Sequence, residues 1–199
     1  SKAPLIASHS SARALCNHSR NLDDEQLGWL KENGGVVQTV AFSSYINTEK
    51  DKKYKDELIK VIEALAKEQN LELVPRDEIK KLEGKAKEEA IAVYLKLSKE
   101  AKTKMESSLI DPVNVADYVD HIDYLVDKMG IDHVGISSDF DGGGGIEGWN
   151  DASETLNVTI ELVKRGYTED QIEQLWSGNL LRVLDEVQEI AKEIQSEEK

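Results

Sequence analysis

Apolar positions along this chain follow two rhythms. Short runs with little polar interruption fall at Leu5–Ser8, Gly35–Phe42 and His133–Ser138. The middle run is rich in β-branched residues, which suits a strand covered on both faces. Between and after these runs, apolar residues recur at three- and four-residue steps, the period of an amphipathic helix. Leu27 and Leu30 form such a stripe after Asp23 and Gln26, which have capping-box spacing, and Gly34 is the expected stop. Val115, Tyr118, Val119, Ile122, Leu125, Val126 and Met129 form another, ending at Gly130. Asp111-Pro112 is the expected cap and first-turn proline of that helix. Thr168 and Gln171 make a second capping box before Ile172, Leu175 and Trp176, and a last helix is expected from Leu180.

A helical excursion is expected over 47–110. Tyr54, Leu58, Ile62 and Leu65 keep helical spacing, as do Ile79, Leu82, Ala86, Ala90, Val93 and Leu97, with Pro75 between the two sets. This stretch holds fifteen basic and fourteen acidic residues, the pattern of a solvated charged face. Outside it, strand–helix alternation with long crossovers predicts parallel strands and an α/β fold. A closed (β/α)8 barrel needs at least about 200–250 residues, so three strands amount to about three-eighths of one, or to a small open sheet.

Composition narrows the function. The 199 residues carry a net charge of −14, which argues against nucleic-acid or anionic-membrane partners. No apolar run reaches the roughly 18 residues of a membrane-spanning helix. A single cysteine, Cys16, excludes an internal disulfide and a Cys-rich zinc module. The chain opens at Ser1 without an initiator Met, which reads as an interior position of a longer protein, so no compartment (bacterial cytoplasm or periplasm) is assigned.

The carboxyl ends of parallel strands face the ligand in α/β folds. His9 stands at the first such end and is a candidate metal ligand; the alternative is a hydrogen-bonded core histidine. Asp139 follows the third strand and is a candidate acid/base or ammonium-binding carboxylate, with a loop cap as the alternative. Asp141 reads as a turn organiser. Arg20 could bind a carboxylate bidentately or pair with Asp23 or Asp24. The run Gly142–Gly145 lacks the Gly-Lys-Ser/Thr of a phosphate loop, and Ser10 and Ser11 lack a nucleophile elbow. His18 and His121 read as loop and helix-surface residues, and His133 lies at the far end of its strand.

Taken together, Pro4–Arg13, Cys16–Asn21, Gly34–Val37, Asp132–Gly142 and Gly178–Val183 strongly resemble the renal (membrane) dipeptidase family of zinc peptidases, bacterial members most of all. The resemblance covers nearly the whole chain, but only the C-terminal half of the family's sequence. It implies the C-terminal part, about strands six to eight, of a (β/α)8 barrel with a helical insertion. It implies two zinc ions per complete active site and a metal-bridging hydroxide that attacks a dipeptide carbonyl. Residue by residue, it implies that His9 is a zinc ligand, that Arg20 and Tyr45 meet the substrate's carboxylate, and that Asp139 acts as acid/base and contacts the amine. The family's other metal ligands have no counterpart here and would precede Ser1. The chain alone is therefore expected to be inactive, and to work with its N-terminal half or a second chain, as a homo-oligomer. Two alternatives stay open: a non-catalytic half-barrel binding or assembly module, and another zinc amidohydrolase such as a lactonase.

Overall fold

The first strand, β1, is assigned only at Ile6–Ala7, yet its ladder runs further: Val36 N–H donates to Leu5 O (3.0 Å) and Ser10 N–H to Gln38 O (3.1 Å). In this computed structural model, which describes residues 1–197, the chain continues through α1 (Asp24–Glu32), β2 (Val36–Val40), α2 (Ser43–Ile46), α3 (Thr48–Glu68), α4 (Arg76–Ile79), α5 (Gly84–Met105), α6 (Val115–Met129), β3 (Val134–Ser137), α7 (Leu156–Lys164), α8 (Glu169–Glu173) and α9 (Asn179–Glu197). Two compact units result, Ser1–Glu49 with Val113–Lys199, and Lys50–Pro112.

The larger unit is α/β, with helices dominating. Its three strands are all parallel in the order β1-β2-β3, with Ile6 opposite Val36 and Val37 opposite Val134. Every residue of β2 is buried, the signature of a central strand with both faces covered. Ala7, Val37, Ala41, Val134 and Ile136 meet the helical layer, where α6 presents Tyr118, Val119, Ile122 and Leu125 at helical spacing. The Tyr118 hydroxyl donates to Thr39 O (2.8 Å) and fastens α6 to the middle strand. At the opposite end, Arg182 of α9 donates to Gly34 O and Asp132 O (both 3.0 Å), bracing the points where β2 and β3 begin.

The capping boxes at Asp23–Gln26 and Thr168–Gln171 form as their spacing predicts. The start of α6 does not. Asn114 is its N-cap, in a reciprocal box with Asp117, and Asp111-Pro112 lies ahead of it. Asn114 wins because its short side chain reaches the Asp117 N–H while that carboxylate reaches back. The smaller unit is built on α3, α4 and α5, with Ile62, Leu65, Ala66, Leu97 and Ala101 in its own core. The apolar series from Ile79 to Leu97 is not one helix face: α4 ends at Ile79, and Ala86 is exposed.

His121 is the clearest departure from the sequence pattern. It is 2% exposed. Its Nδ1 accepts from Ala12 N–H (3.1 Å), so Nε2 carries the proton and donates to Ile46 O (2.9 Å). One imidazole thus ties the loop after β1 to the end of α2. Burial lowers its pKa, against smaller raising effects from the Ile46 carbonyl, Asp120 and Asp117. The folded protein therefore binds this proton more weakly than the unfolded chain, whose histidine titrates near 6.5. The His121 contribution is complete above about pH 6.5 and is lost as pH falls from there through the lowered folded value. Urea unfolding from pH 8 to pH 5 is expected to show stability falling below about pH 6.5, with a shallower fall in His121→Gln. An identical pH slope in the variant would exclude His121 as the source.

Candidate active site

Because the three strands are parallel, the segments after Ala7, Val40 and Ser137 leave the same edge of the sheet. His9, Tyr45 and Asp139 all lie just beyond it.

The loop after β1 is held by Asn21, which is fully buried. Its Oδ1 accepts from Ser11 N–H (3.1 Å), and its Nδ2 donates to Cys16 O (2.9 Å) and Tyr45 O (2.7 Å). One amide therefore joins the His9 segment, the turn before α1 and the segment carrying Tyr45. Arg20, next in sequence, is exposed. It donates from Nη2 to His9 Nε2 (2.8 Å), and its guanidinium lies 5.6 Å from the centre of the Tyr45 ring. Neither Asp23 nor Asp24 is its partner: Asp23 pairs with Arg13 (3.1 Å) and Asp24 with Lys128 (3.1 Å). A guanidinium can only donate, so His9 Nε2 is the acceptor and Nδ1–H donates to Ser8 Oγ (2.7 Å). His9 is itself exposed.

Two further rings flank Tyr45. Phe42 stacks at 4.5 Å and 24°, and His18 at 4.3 Å and 28°. Phe42 in turn touches the glycine-rich turn after β3, where a Cβ on Gly143 would come within 3.0 Å of its ring. That turn is tightly built. Asp139 O accepts from Gly142 N–H (3.1 Å) and Gly144 N–H (2.9 Å), Gly145 N–H donates to Ala41 O (2.9 Å), and Ser43 Oγ donates to Gly145 O (3.2 Å). Asp139 adopts φ +54° and Asp141 φ +61°, left-handed conformations that Asp tolerates better than most residues. The Asp139 carboxylate makes no hydrogen bond or ion pair with any described residue, so its backbone, not its side chain, caps the turn.

His9, Arg20 and Tyr45 are thus brought into contact, and Asp139 stands on the same edge, linked to them through the glycine turn and Phe42. His18, Phe42 and Asn21 complete the cluster. Asn21 lies in the Cys16–Asn21 stretch that carries the resemblance, but no periodicity marks it as an anchor. The His18 ring meets Tyr45 from a distant loop, whereas Phe42, the N-cap of α2, stacks on it from three residues away.

A structural or catalytic zinc takes three or more protein ligands. Among the described residues, no group of three His, Cys, Asp or Glu side chains is placed to hold a metal ion. His9 offers one imidazole, and both of its nitrogens are engaged. The residues of this chain therefore do not by themselves fit a metal centre.

Gly144 is the position where this site tolerates no side chain. An added Cβ would collide with Ser138 O and lie 2.7 Å from Asp139 O, both backbone atoms that cannot swing aside. Gly144→Ala is expected to cost about 1–3 kcal/mol in denaturant unfolding. Gly28, inside α1 with nothing within 4 Å of an added Cβ, is the control, and Gly28→Ala is expected to add about 0.5–1 kcal/mol. Equal effects at the two positions would contradict this packing.

Dipeptidase aclJ of Aspergillus oryzae is 29% identical over 194 residues, covering 97% of this chain and 32% of its own length. Dipeptidase ataJ of Aspergillus terreus is 28% identical over 198 residues, covering 99% of this chain and 34% of its own. Among solved structures, the probable dipeptidase PvdM from Pseudomonas aeruginosa matches with a TM-score of 0.63 and 36% identity, over 95% of this chain and 46% of that one. A metallo peptidase from Rhodobacter sphaeroides, liganded with a phosphinate mimic of the dipeptide L-Ala-D-Ala, shares the fold at a TM-score of 0.60 and 22% identity, over 94% of this chain and 37% of that one. The chain spans about a third of the length of these curated relatives and under half of the solved ones. The model of the membrane dipeptidase family, peptidase family M19, matches residues 1–198, and the chain belongs to that family.

Proposed function

We propose that this chain is the C-terminal part of a metallo-dipeptidase barrel and takes part in dipeptide hydrolysis when the N-terminal half, or a second chain, completes it. The observation that carries this reading is the meeting of His9, Arg20 and Tyr45 at the carboxyl edge of a parallel sheet in a chain of this family. In the proposal, Arg20 holds the free carboxylate of the dipeptide, since only one of its donors is committed to His9. The Tyr45 ring lines the pocket beside it. Asp139, with an uncommitted carboxylate, holds the substrate ammonium and exchanges a proton at the scissile bond. His9 supplies one ligand of a centre of two zinc ions whose other ligands come from outside this chain.

Exposed apolar surface supports an absent neighbour. Leu5 is 51% and Ile6 45% exposed at the sheet edge. On α7, Val158 and Leu162 are buried, while Leu156, Ile160 and Val163 form a second, exposed stripe. A helix apolar on two sides is one that packs between two neighbours. Among the described residues no strand pairs with the outer edge of β1, which is likewise a row of open backbone donors and acceptors.

A second reading is a binding module without catalysis. It is favoured by the Arg20–His9 hydrogen bond, which engages the lone pair a metal would need. Sedimentation, intact mass and metal analysis of the purified material separate the two. The dipeptidase reading expects a companion polypeptide or second copy, two zincs per complex, and joint loss of metal and dipeptide hydrolysis in His9→Ala. A cooperatively melting 22 kDa monomer would refute the half-barrel argument, and activity surviving His9→Ala would refute the ligand role. A lactone and dipeptide panel distinguishes another amidohydrolase.

A further inference from the structure

His18 is not assigned any role by the reading above, yet it makes two separate contacts around Arg20. Its Nδ1 accepts from the Arg20 backbone N–H (3.2 Å), and its ring stacks on Tyr45, the ring over which the Arg20 guanidinium lies. Backbone and side chain of Arg20 are therefore both referred to the same imidazole, one directly and one through Tyr45. The flanking bonds hold this in place. Asn21 N–H donates to His18 O (3.0 Å), and Asn21 Nδ2 anchors Tyr45 O. We propose that His18 is a positioning residue, which orients the Arg20 guanidinium for a carboxylate ligand by capping its backbone and backing Tyr45.

The geometry separates the two contributions. Phe at position 18 keeps a ring against Tyr45 but has no acceptor for the Arg20 N–H. Asn keeps an acceptor and has no ring. Leu keeps neither. An arginine free to sample many rotamers loses more freedom on binding a carboxylate than one already held, so the effect falls on binding rather than on the chemical step.

The carboxylate ligand rests on the dipeptidase reading, so the test has two arms. In the dipeptide-hydrolysing assembly that contains this chain, His18→Leu is expected to raise KM for a free dipeptide about tenfold, with kcat within about twofold. Its preference for the free acid over the C-terminal amide should fall by a similar factor. His18→Phe and His18→Asn should each recover part of the loss, and thermal unfolding checks that all three fold. In the second arm, which needs no activity, the Arg20 side-chain Nε–H resonance is followed by NMR in the same purified material. It should be distinct in the unaltered protein and average toward the exposed-arginine position in His18→Leu. Absence of turnover on every dipeptide in the unaltered protein would defeat the dipeptidase reading and leave the resonance to decide this one. An Arg20 resonance indifferent to all three substitutions, or a KM unchanged in folded His18→Leu, would overturn the positioning role.

Discussion

Backbone groups that leave a sheet must find new hydrogen-bond partners, and at the carboxyl edge of this one two buried side chains supply them. Asn21 accepts from Ser11 N–H and donates to Cys16 O and Tyr45 O, and His121 bridges Ala12 to Ile46. Neither residue could be exchanged for an apolar one of similar size without leaving buried N–H or C=O groups unmet, at a cost of about 1–3 kcal/mol for each group. These two anchors act together with the Arg13–Asp23 ion pair and the Ser43 Oγ–Gly145 O hydrogen bond in holding the segments that carry His9, Arg20 and Tyr45.

The cluster is unequal in its commitments. His9 is bonded through both ring nitrogens and Arg20 through one donor, whereas the Asp139 carboxylate has no partner among the described residues. Under the proposed function, an uncommitted carboxylate and a guanidinium with donors to spare on one sheet edge would take a ligand that carries charge at both ends. The glycines after Asp139 serve this arrangement sterically. A Cβ on Gly142 would come within 2.6 Å of Asp139 Oδ1, and one on Gly143 would press the Phe42 ring. The glycine run is a tight turn closed by its own backbone bonds.

Much of the architecture was legible in the chain. The capping boxes at Asp23 and Thr168 and the helix stops at Gly34 and Gly130 depend on neighbours within a few residues, so local spacing suffices to find them. The start of α6 was misplaced because two capping signals lie three residues apart, and reciprocal bonding between Asn114 and Asp117 decided between them. The backbone ladder of β1 covers its whole apolar run, with bonds at Leu5 O and Ser10 N–H at its two ends.

Sequence alone determined which residues stand at strand ends, since alternation of apolar run and crossover helix requires parallel strands, and parallel strands put His9, Tyr45 and Asp139 on one edge. It could not determine what those residues touch. That Arg20 meets His9 and not Asp23, that His18 stacks on Tyr45, and that His121 is buried and not on a helix surface all depend on contacts between segments far apart in the chain. Helical period marks a face, but a polar residue on that face is core or surface according to what packs over it. Only the tertiary fold brings Ala12 N–H and Ile46 O to the two nitrogens of one buried ring.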